Sequence, residues 1–302
     1  MKRFICNILL FVLPFMGFLS VIDYYYSRAA MKSNYFWIEA WYDLMHSQID
    51  ADVIVMGNSR SLFHVNPLIL DSILNTTTYN LGMNGSSINR QIHKYNLFRK
   101  YNRKPKLIIQ NIDHFSLEYR VGLEREQFYP YFWNKGMRDE FLDSEPLSVW
   151  EKYVPMYRYR HYGWAPLVNT QHKLIRGYRG EKKHWDGTKL DKVDSVKFAF
   201  SDTTLVMFDE YLAKLKAENI KIVFVYSPLY VGAMRKFTNV KEMYSTYQRI
   251  ADKYDIPILN YMNMDIASDT TYFYNAMHLN KRGAEIFSDS LANGIKRLGI
   301  LR

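Results

Sequence analysis

Cysteine is what this sequence has least of. Cys6 is the only one in 302 residues, so no intrachain disulfide can form and the fold must rest on its core. Cys6 begins an apolar stretch that lacks the small-residue cleavage context of a lipoprotein. Internal repeats and low-complexity segments are missing, which sets aside repeat architectures and disordered tracts. The net charge is +10, yet the lysines and arginines are scattered and no nucleic-acid-binding signature accompanies them. Nucleic acid is therefore set aside as a partner, while anionic headgroups or acidic polysaccharide remain compatible with the charge. His93, His114, His161, His172 and His184 have no second ligand three or four residues on along a convincing helix. No metal and no cofactor are expected.

Hydrophobic residues make up 48% of the chain, enough for a large core. Aromatics make up 16%, with 25 Tyr and 6 Trp. These residues join large apolar area to a polar handle, which suits interfaces, membrane rims and sugar-stacking surfaces as well as the core.

Lys2 and Arg3 precede an uncharged stretch, Phe4 to Ile22. Nineteen helical residues span roughly 28 Å, close to a bilayer core. A cleaved signal peptide and a retained signal-anchor compete for this segment. No small-x-small site follows Ser20, and Tyr24, Tyr25 and Tyr26 resemble an interfacial aromatic belt. The retained, single-pass anchor is the better reading. The basic end then stays cytoplasmic and the rest of the chain lies in the periplasm or cell exterior. The expected organisation is an anchor over 1–27, a linker helix over 28–50, and one domain over 51–302 with an insertion at about 115–202.

Within the domain, Val53-Ile54-Val55-Met56 runs into Gly57-Asn58-Ser59-Arg60-Ser61. A β-branched run followed by small polar residues and a helical stretch is how a buried parallel strand delivers a serine to a sheet rim. Further strands are predicted at 76–81, 107–111, 220–226 and 256–259. They alternate with helices at 67–74, 89–101, 205–218, 240–254 and 281–298. That alternation predicts an α/β fold, a three-layer flavodoxin-like sandwich with about five parallel strands. The insertion carries Phe128-Tyr129-Pro130-Tyr131-Phe132-Trp133 and Tyr157 to Trp164. It reads as short helices forming a lid or groove beside the site, or as surface packed on sheet and membrane.

Four blocks fall in order at strand ends: Gly57-Asn58-Ser59; Asn80-Leu81-Gly82-Met83-Asn84-Gly85; Gln110-Asn111-Ile112-Asp113; and Asn275-Ala276-Met277-His278-Leu279-Asn280. Here the chain resembles the SGNH (GDSL-like) hydrolase superfamily over residues 50–115 and 203–298. The tail His278-Leu279-Asn280-Lys281-Arg282-Gly283-Ala284 looks like that of members acting on cell-surface polymers. Those include periplasmic polysaccharide O-acetylation proteins and the membrane-anchored protein of teichoic-acid D-alanylation. The resemblance implies Ser59 as nucleophile and His278 as general base and acid, with Asn275 where the family has Asp. It implies an oxyanion hole from the Ser59 and Gly85 backbone N–H groups and the Asn111 side chain, with Asp113 a rival to Asn111. Asn58, Asn84, Asp113, Trp133 and Trp164 are the candidate substrate contacts.

The expected function is an extracytoplasmic, membrane-anchored esterase or O-acyltransferase acting on a cell-envelope glycan. Its expected partners are an acylated polysaccharide, the membrane, and a multi-spanning membrane O-acyltransferase. The alternative is a catalytically inactive module of the same fold that binds glycan or scaffolds an acyl-transfer complex. Asn275 is its main support, because Asn orients a histidine without supplying charge.

Overall fold

The computed structural model describes residues 1–122, 124–142, 145–170, 173–188 and 195–301, leaving aside the side chains of Ile5 and Phe36. The chain forms two compact units, residues 1–46 with 121–173, and residues 47–120 with 174–302. Each is described by itself.

The first unit begins with helix α1, Lys2–Ala30. It is long and apolar enough to cross a membrane. Its apolar side chains up to Ile22 are largely exposed, Phe11 at 75% and Leu10 at 72%. Burial begins one residue later. Asp23 is fully buried and pairs with the buried Arg158. It also accepts hydrogen bonds from Trp133 Nε1 at 2.9 Å and the Met156 N–H at 2.7 Å. Arg158 stacks over Phe132, 4.4 Å from the ring centre. Ser27 bonds Tyr159 through their hydroxyls at 2.8 Å, and Tyr26 donates to the Gly163 carbonyl. The last two turns of α1 are thus part of a folded core rather than a tail.

The linker helix expected over 28–50 does not form as one element. The chain makes a 3-10 helix over Tyr35–Trp41 and a short α-helix over Tyr42–Met45. Trp37 has a φ of +63°, a conformation that a continuous α-helix does not contain. This segment packs inward instead. Trp41 is fully buried, stacks edge-on against Phe128 and Phe141, and donates to Gln127 Oε1 at 2.8 Å. The aromatic stretch around 128–133 lies in a second 3-10 helix, Arg125–Tyr131, whose Tyr131 hydroxyl donates to the Met31 and Ile38 carbonyls.

The second unit holds the sheet. Its strands are β1 (Val53–Met56), β2 (Thr78–Asn80), β3 (Leu107–Asn111), β4 (Lys221–Tyr226) and β5 (Ile258–Asn260). All pairings are parallel, in the order β2-β1-β3-β4-β5. This is the flavodoxin-like order, with its topological switch point between β1 and β3.

The helices are α2 (Ser59–His64), α3 (Pro67–Leu74), α4 (Ile88–Tyr101), α5 (Asp202–Ala217), α6 (Val240–Tyr254) and α7 (Lys281–Leu298). Alternate strand residues serve opposite layers. Val53, Val55, Leu107, Ile109, Val223 and Val225 share a core with Phe287, Leu291 and Ile295 of α7. On the other face, Phe224 stacks on Phe208 of α5 and meets Tyr247 of α6 edge-on. Both faces are covered, as an all-parallel sheet requires. A small antiparallel ribbon precedes α7: β6 (Phe273–Asn275) and β7 (His278–Leu279).

The buried Asp23–Arg158 pair yields a prediction. Asp23→Ala strands a buried guanidinium and is expected to cost about 3–5 kcal/mol, whereas Asp23→Leu with Arg158→Met is expected to recover most of that loss. Denaturant titration of the full chain in detergent micelles measures both. An Asp23→Ala protein within about 0.5 kcal/mol of wild type, the range of ordinary surface changes, would contradict the assignment.

Candidate functional site

The first three blocks sit at the carboxyl ends of β1, β2 and β3, at the switch point where ligands bind in such sheets. After β1 the backbone turns at Gly57 with a φ of +151°. A Cβ there would run into Ser61 Oγ and lie 2.8 Å from Asn111 Cβ. Only glycine allows this approach. Asn58 then caps α2, its Oδ1 accepting the Arg60 N–H at 3.0 Å. Ser59 is the first residue of the helix and is half-buried. Its N–H is among those a helix leaves without an internal partner.

The second block braces this turn. Asn80 Nδ2 donates to the Ser61 and Val65 carbonyls at 2.7 and 2.8 Å, and Oδ1 accepts the Gly82 N–H at 2.8 Å. The Met83 N–H reaches the Gly57 carbonyl at 3.0 Å. Gly85, half-buried, has a φ of +63°. At the end of β3, Asn111 is buried, and neither its amide nitrogen nor its oxygen has a hydrogen-bond partner.

The last block closes the constellation. In the ribbon Asn275 stands opposite His278, with Ala276 and Met277 in the turn between them. His278 Nδ1 lies 3.0 Å from Asn275 Oδ1, and Nε2 lies 2.7 Å from Ser59 Oγ. The Met277 N–H also donates to Asn275 Oδ1 at 2.9 Å. The Met277 N–H identifies its acceptor as the amide oxygen, which can only accept from His278, so Nδ1 carries the proton and Nε2 is the acceptor facing Ser59. Tyr274 stacks on one side of the imidazole at 5.4 Å and Phe63 meets it edge-on at 5.2 Å. Ser59, His278 and Asn275 thus form a continuous hydrogen-bonded chain.

Two candidate substrate contacts need correction. Asn58 and Asp113 are buried at 6% and 2% exposure, and their polar atoms are already used. Asn58 Nδ2 donates to Asp113 Oδ2. Asp113 Oδ1 accepts from the Phe115 N–H and Ser116 Oγ, both at 3.0 Å. Both residues support the serine turn from behind, because a polar group buried there must be satisfied internally. Asn84 is half-buried in the second-block loop. Trp133 and Trp164 belong to the first unit.

The sequence reading missed three residues around this turn. Arg60 is buried, 3.7 Å from Asp113 and 3.4 Å from His114 Nδ1. His64, the last residue of α2, is fully buried and accepts the Leu279 N–H through Nε2 at 3.0 Å. One side chain therefore ties the helix that starts at Ser59 to the strand that carries His278. Arg60 and His64 read as ordinary helix polar residues because nothing local marks them as buried.

Burial and the Arg60 charge depress the His278 pKa to about 3. The same two causes hold His114 at about 3. Burial, then the neighbouring His278 and Arg60, push His64 well below its ordinary value. His278 is therefore neutral near pH 7, a base with a free acceptor.

Among the described residues, no three His, Cys, Asp or Glu side chains gather as a metal site. His172 lies outside the described residues. A cavity of 380 Å³ in this unit is lined by Lys221 and Pro257, at the amino-terminal ends of the strands. It is at the wrong end of the sheet for ligands of this fold, so the hydrogen-bonded chain, not cavity volume, marks the site.

No protein-family model matches the sequence, and no curated protein matches it. Solved structures similar in shape include esterase EstA of Pseudoalteromonas sp., at 12% identity and a TM-score of 0.41, covering 82% of this chain and 98% of that one. The acetyl xylan esterase AlAXEase is similar at 11% identity and a TM-score of 0.41, over 80% and 98% of the two chains. A protein of Desulfitobacterium hafniense placed in the G-D-S-L lipolytic family is similar at 10% identity and a TM-score of 0.42, over 81% and 99%.

The histidine set predicts acid sensitivity. Each ring is neutral in the fold and gains a proton on unfolding once the pH drops below 6.5, the unperturbed value. The unfolded chain then binds more protons, so stability is full above pH 6.5 and falls as the pH moves toward 3. His64→Leu is expected to lower stability at pH 7.5 by about 1–3 kcal/mol, since the Leu279 N–H loses its acceptor. It should also flatten the acid slope. Urea titrations between pH 4 and 8 check both, and an unchanged slope would remove His64 from the set.

Proposed function

We propose that this chain is a membrane-anchored serine esterase or O-acyltransferase of the SGNH type, with a cell-envelope glycan as its ester substrate or, through a sugar hydroxyl, its acyl acceptor. One observation carries the catalytic part: a serine hydroxyl 2.7 Å from the unprotonated nitrogen of a neutral, oriented histidine. That is the ground state a nucleophilic serine needs.

In this mechanism Ser59 Oγ attacks the acyl carbonyl carbon while its proton passes to His278 Nε2. The carbonyl oxygen becomes an oxyanion received by the Ser59 and Gly85 N–H groups and Asn111 Nδ2. Asn111 suits this role because it is buried with its amide unengaged, and donors fixed in advance stabilise charge that exists only in the transition state. His278 then returns its proton to the departing alkoxide, leaving an acyl group on Ser59. Water or a sugar hydroxyl gives a proton to Nε2 and attacks the acyl carbon; the acyl–Oγ bond breaks and His278 passes that proton to Ser59 Oγ, restoring both groups. Asp113 is no rival donor in this scheme, because its carboxylate is an acceptor already engaged behind the turn.

Asn275 sets the scale of this activity. It fixes the tautomer but brings no negative charge to the imidazolium, and in a serine protease the same exchange lowers turnover about 10⁴-fold. Slow chemistry on a tethered substrate is compatible with that handicap. It is also the observation that favours the second reading, a binding module of the same fold without turnover.

The anchoring part rests on α1. Cleavage within the tyrosines would cut away Asp23, which the first unit buries together with Tyr26 and Ser27, whereas cleavage after Ser20 would leave all three in the chain. A leader that supplies a buried ion pair is not separable without destabilising what remains. The glycan and the multi-spanning acyltransferase partner rest on the sequence resemblance alone.

Full-length protein is to be tested with p-nitrophenyl acetate and a fluorophosphonate probe. Ser59→Ala is expected to abolish labelling, and His278→Ala to reduce it by about 10³-fold or more. Asn275→Asp is expected to raise the labelling rate about tenfold or more. It should also move the acidic limb of the pH profile upward, since a carboxylate favours the imidazolium. Wild-type labelling that survives Ser59→Ala would refute the nucleophile. Absence of labelling and turnover in both wild type and Asn275→Asp would move the assignment to the binding module.

A further inference from the structure

A cavity of about 600 Å³ lies within the first unit. Ile22, Tyr25, Tyr26 and Ala29 form one wall, and they recur at the spacing of a single helix face. Trp164 and Arg160 stand on the opposite wall. The volume is that of a small-molecule site. Its rim is unusually apolar for a surface in water: Tyr25 is 67% and Trp164 74% exposed.

The depth of the cavity follows from α1. Phe4 to Ile22 fills the hydrocarbon core of a bilayer, so the next two turns, from Ile22 to Ala29, emerge among glycerol backbones and headgroups. Tyrosine and tryptophan are the residues that favour that layer. The walls are fixed rather than collapsible. Tyr26 is bonded to the Gly163 carbonyl, Ser27 to Tyr159, and Asp23 to Arg158, each bond running from α1 to the opposite wall. Charge at the mouth is positive. Arg160, one-third exposed, and Arg125 share one carboxylate, Glu151, at 3.4 and 3.2 Å, so two guanidinium groups meet one carboxylate.

We propose that this cavity takes one hydrocarbon chain of an anionic membrane lipid, with the headgroup at Arg160. The inference rests on reading α1 as a retained anchor. It adds to that reading a bound lipid, and with it a dependence of the protein on the anionic content of its membrane. An apolar slot opening at the chain–headgroup boundary fills from the bilayer without a passage through water, and an arginine there favours an anionic lipid by about 1 kcal/mol.

The test uses the full chain in lipid nanodiscs containing a trace of diazirine-labelled phosphatidylglycerol, or of the same chains on phosphatidylcholine. Crosslinked peptides are mapped by mass spectrometry. Crosslinks are expected on residues 22–29 and 156–167, stronger for phosphatidylglycerol by about fivefold. Ala29→Trp fills the cavity from its exposed side and is expected to remove most of these crosslinks. Leu167→Phe narrows it from the other wall and guards against a folding defect in the first variant. Arg160→Gln is expected to erase the headgroup preference while keeping the crosslinks.

Crosslinks confined to residues 4–22, or unchanged in both filling variants, would overturn the proposal. So would equal labelling by the two lipids in wild type. A protein chain crosslinked at 22–29 in place of lipid would assign the slot to a partner. Carbonate extraction and amino-terminal sequencing separate the two failures. A soluble protein lacking residues 1–20 sinks the anchor and the lipid site together. An integral protein beginning at Met1 without these crosslinks sinks the lipid site alone.

Discussion

The site depends on one close approach of backbone to side chain. Gly57 passes Ser61 and Asn111 at a distance that leaves no room for a Cβ. This contact lets the chain leave β1, turn, and begin α2 within three residues. Ser59 is consequently the first residue of the helix, beside the end of β3 where Asn111 sits. The rest is bracing. Asn80 holds the carbonyls of α2, Asn58 caps its start, and Asp113 supports Asn58. Polar residues that the motif suggests as substrate contacts are consumed in making the turn rigid.

The second arm of the site is built by a different device. Strands of three and two residues cannot hold a ribbon by themselves, and β7 is held from outside. His64 accepts its Leu279 N–H, and Asn280 caps α7 while its backbone N–H bonds the Tyr272 carbonyl at 2.9 Å. The Ser288 hydroxyl accepts the Asn66 N–H and donates to the His64 carbonyl, joining α7 to the α2–α3 connection. The Ser59–His278 distance is therefore set by several bonds that do not involve either residue. Electrostatics follow from the same compactness. Burial, helped by the Arg60 charge, keeps His64, His114 and His278 neutral, and the imidazolium is disfavoured. Asn275 does nothing to offset this, and the site is poised as a base rather than as a stabilised ion pair.

Legibility in the sequence followed local signals. The bounds of α3 and α7 could be read because Asn66-Pro67 and Asn280 are start signals in the chain itself, and Asp255, at φ +57°, ends α6. The buried strands β1 and β3 announced themselves as short β-branched runs. The ribbon carrying His278 was not visible, since strands of three and two residues have no period. Its consequence was visible, because Asn275 and His278 flank a two-residue turn. Arg60, His64 and His114 were illegible for a physical reason. Their burial is created by segments far away in sequence, α7 and the chain after β3 among them, and no local pattern encodes it. The linker helix failed in the opposite way. Residues 35–42 have a helix-like run of apolar side chains, but tertiary packing of Trp41 overrides the local preference.

The two units apply one rule at different polarity. In the sheet unit a buried arginine is matched by Asp113 and helps burial keep its neighbours neutral. In the first unit a buried arginine is matched by Asp23, at the residue where α1 stops being apolar. An unpaired carboxylate buried there would be costly. Paired with Arg158 and bonded by Trp133 and Met156, it becomes a fixed point between the exposed apolar length of α1 and the folded core of the unit. The position of that acid sets how far the helix can slide along its axis, because one turn of displacement, about 5.4 Å, would break every bond Asp23 makes. A helix fastened in this way is a structural member of the unit it belongs to.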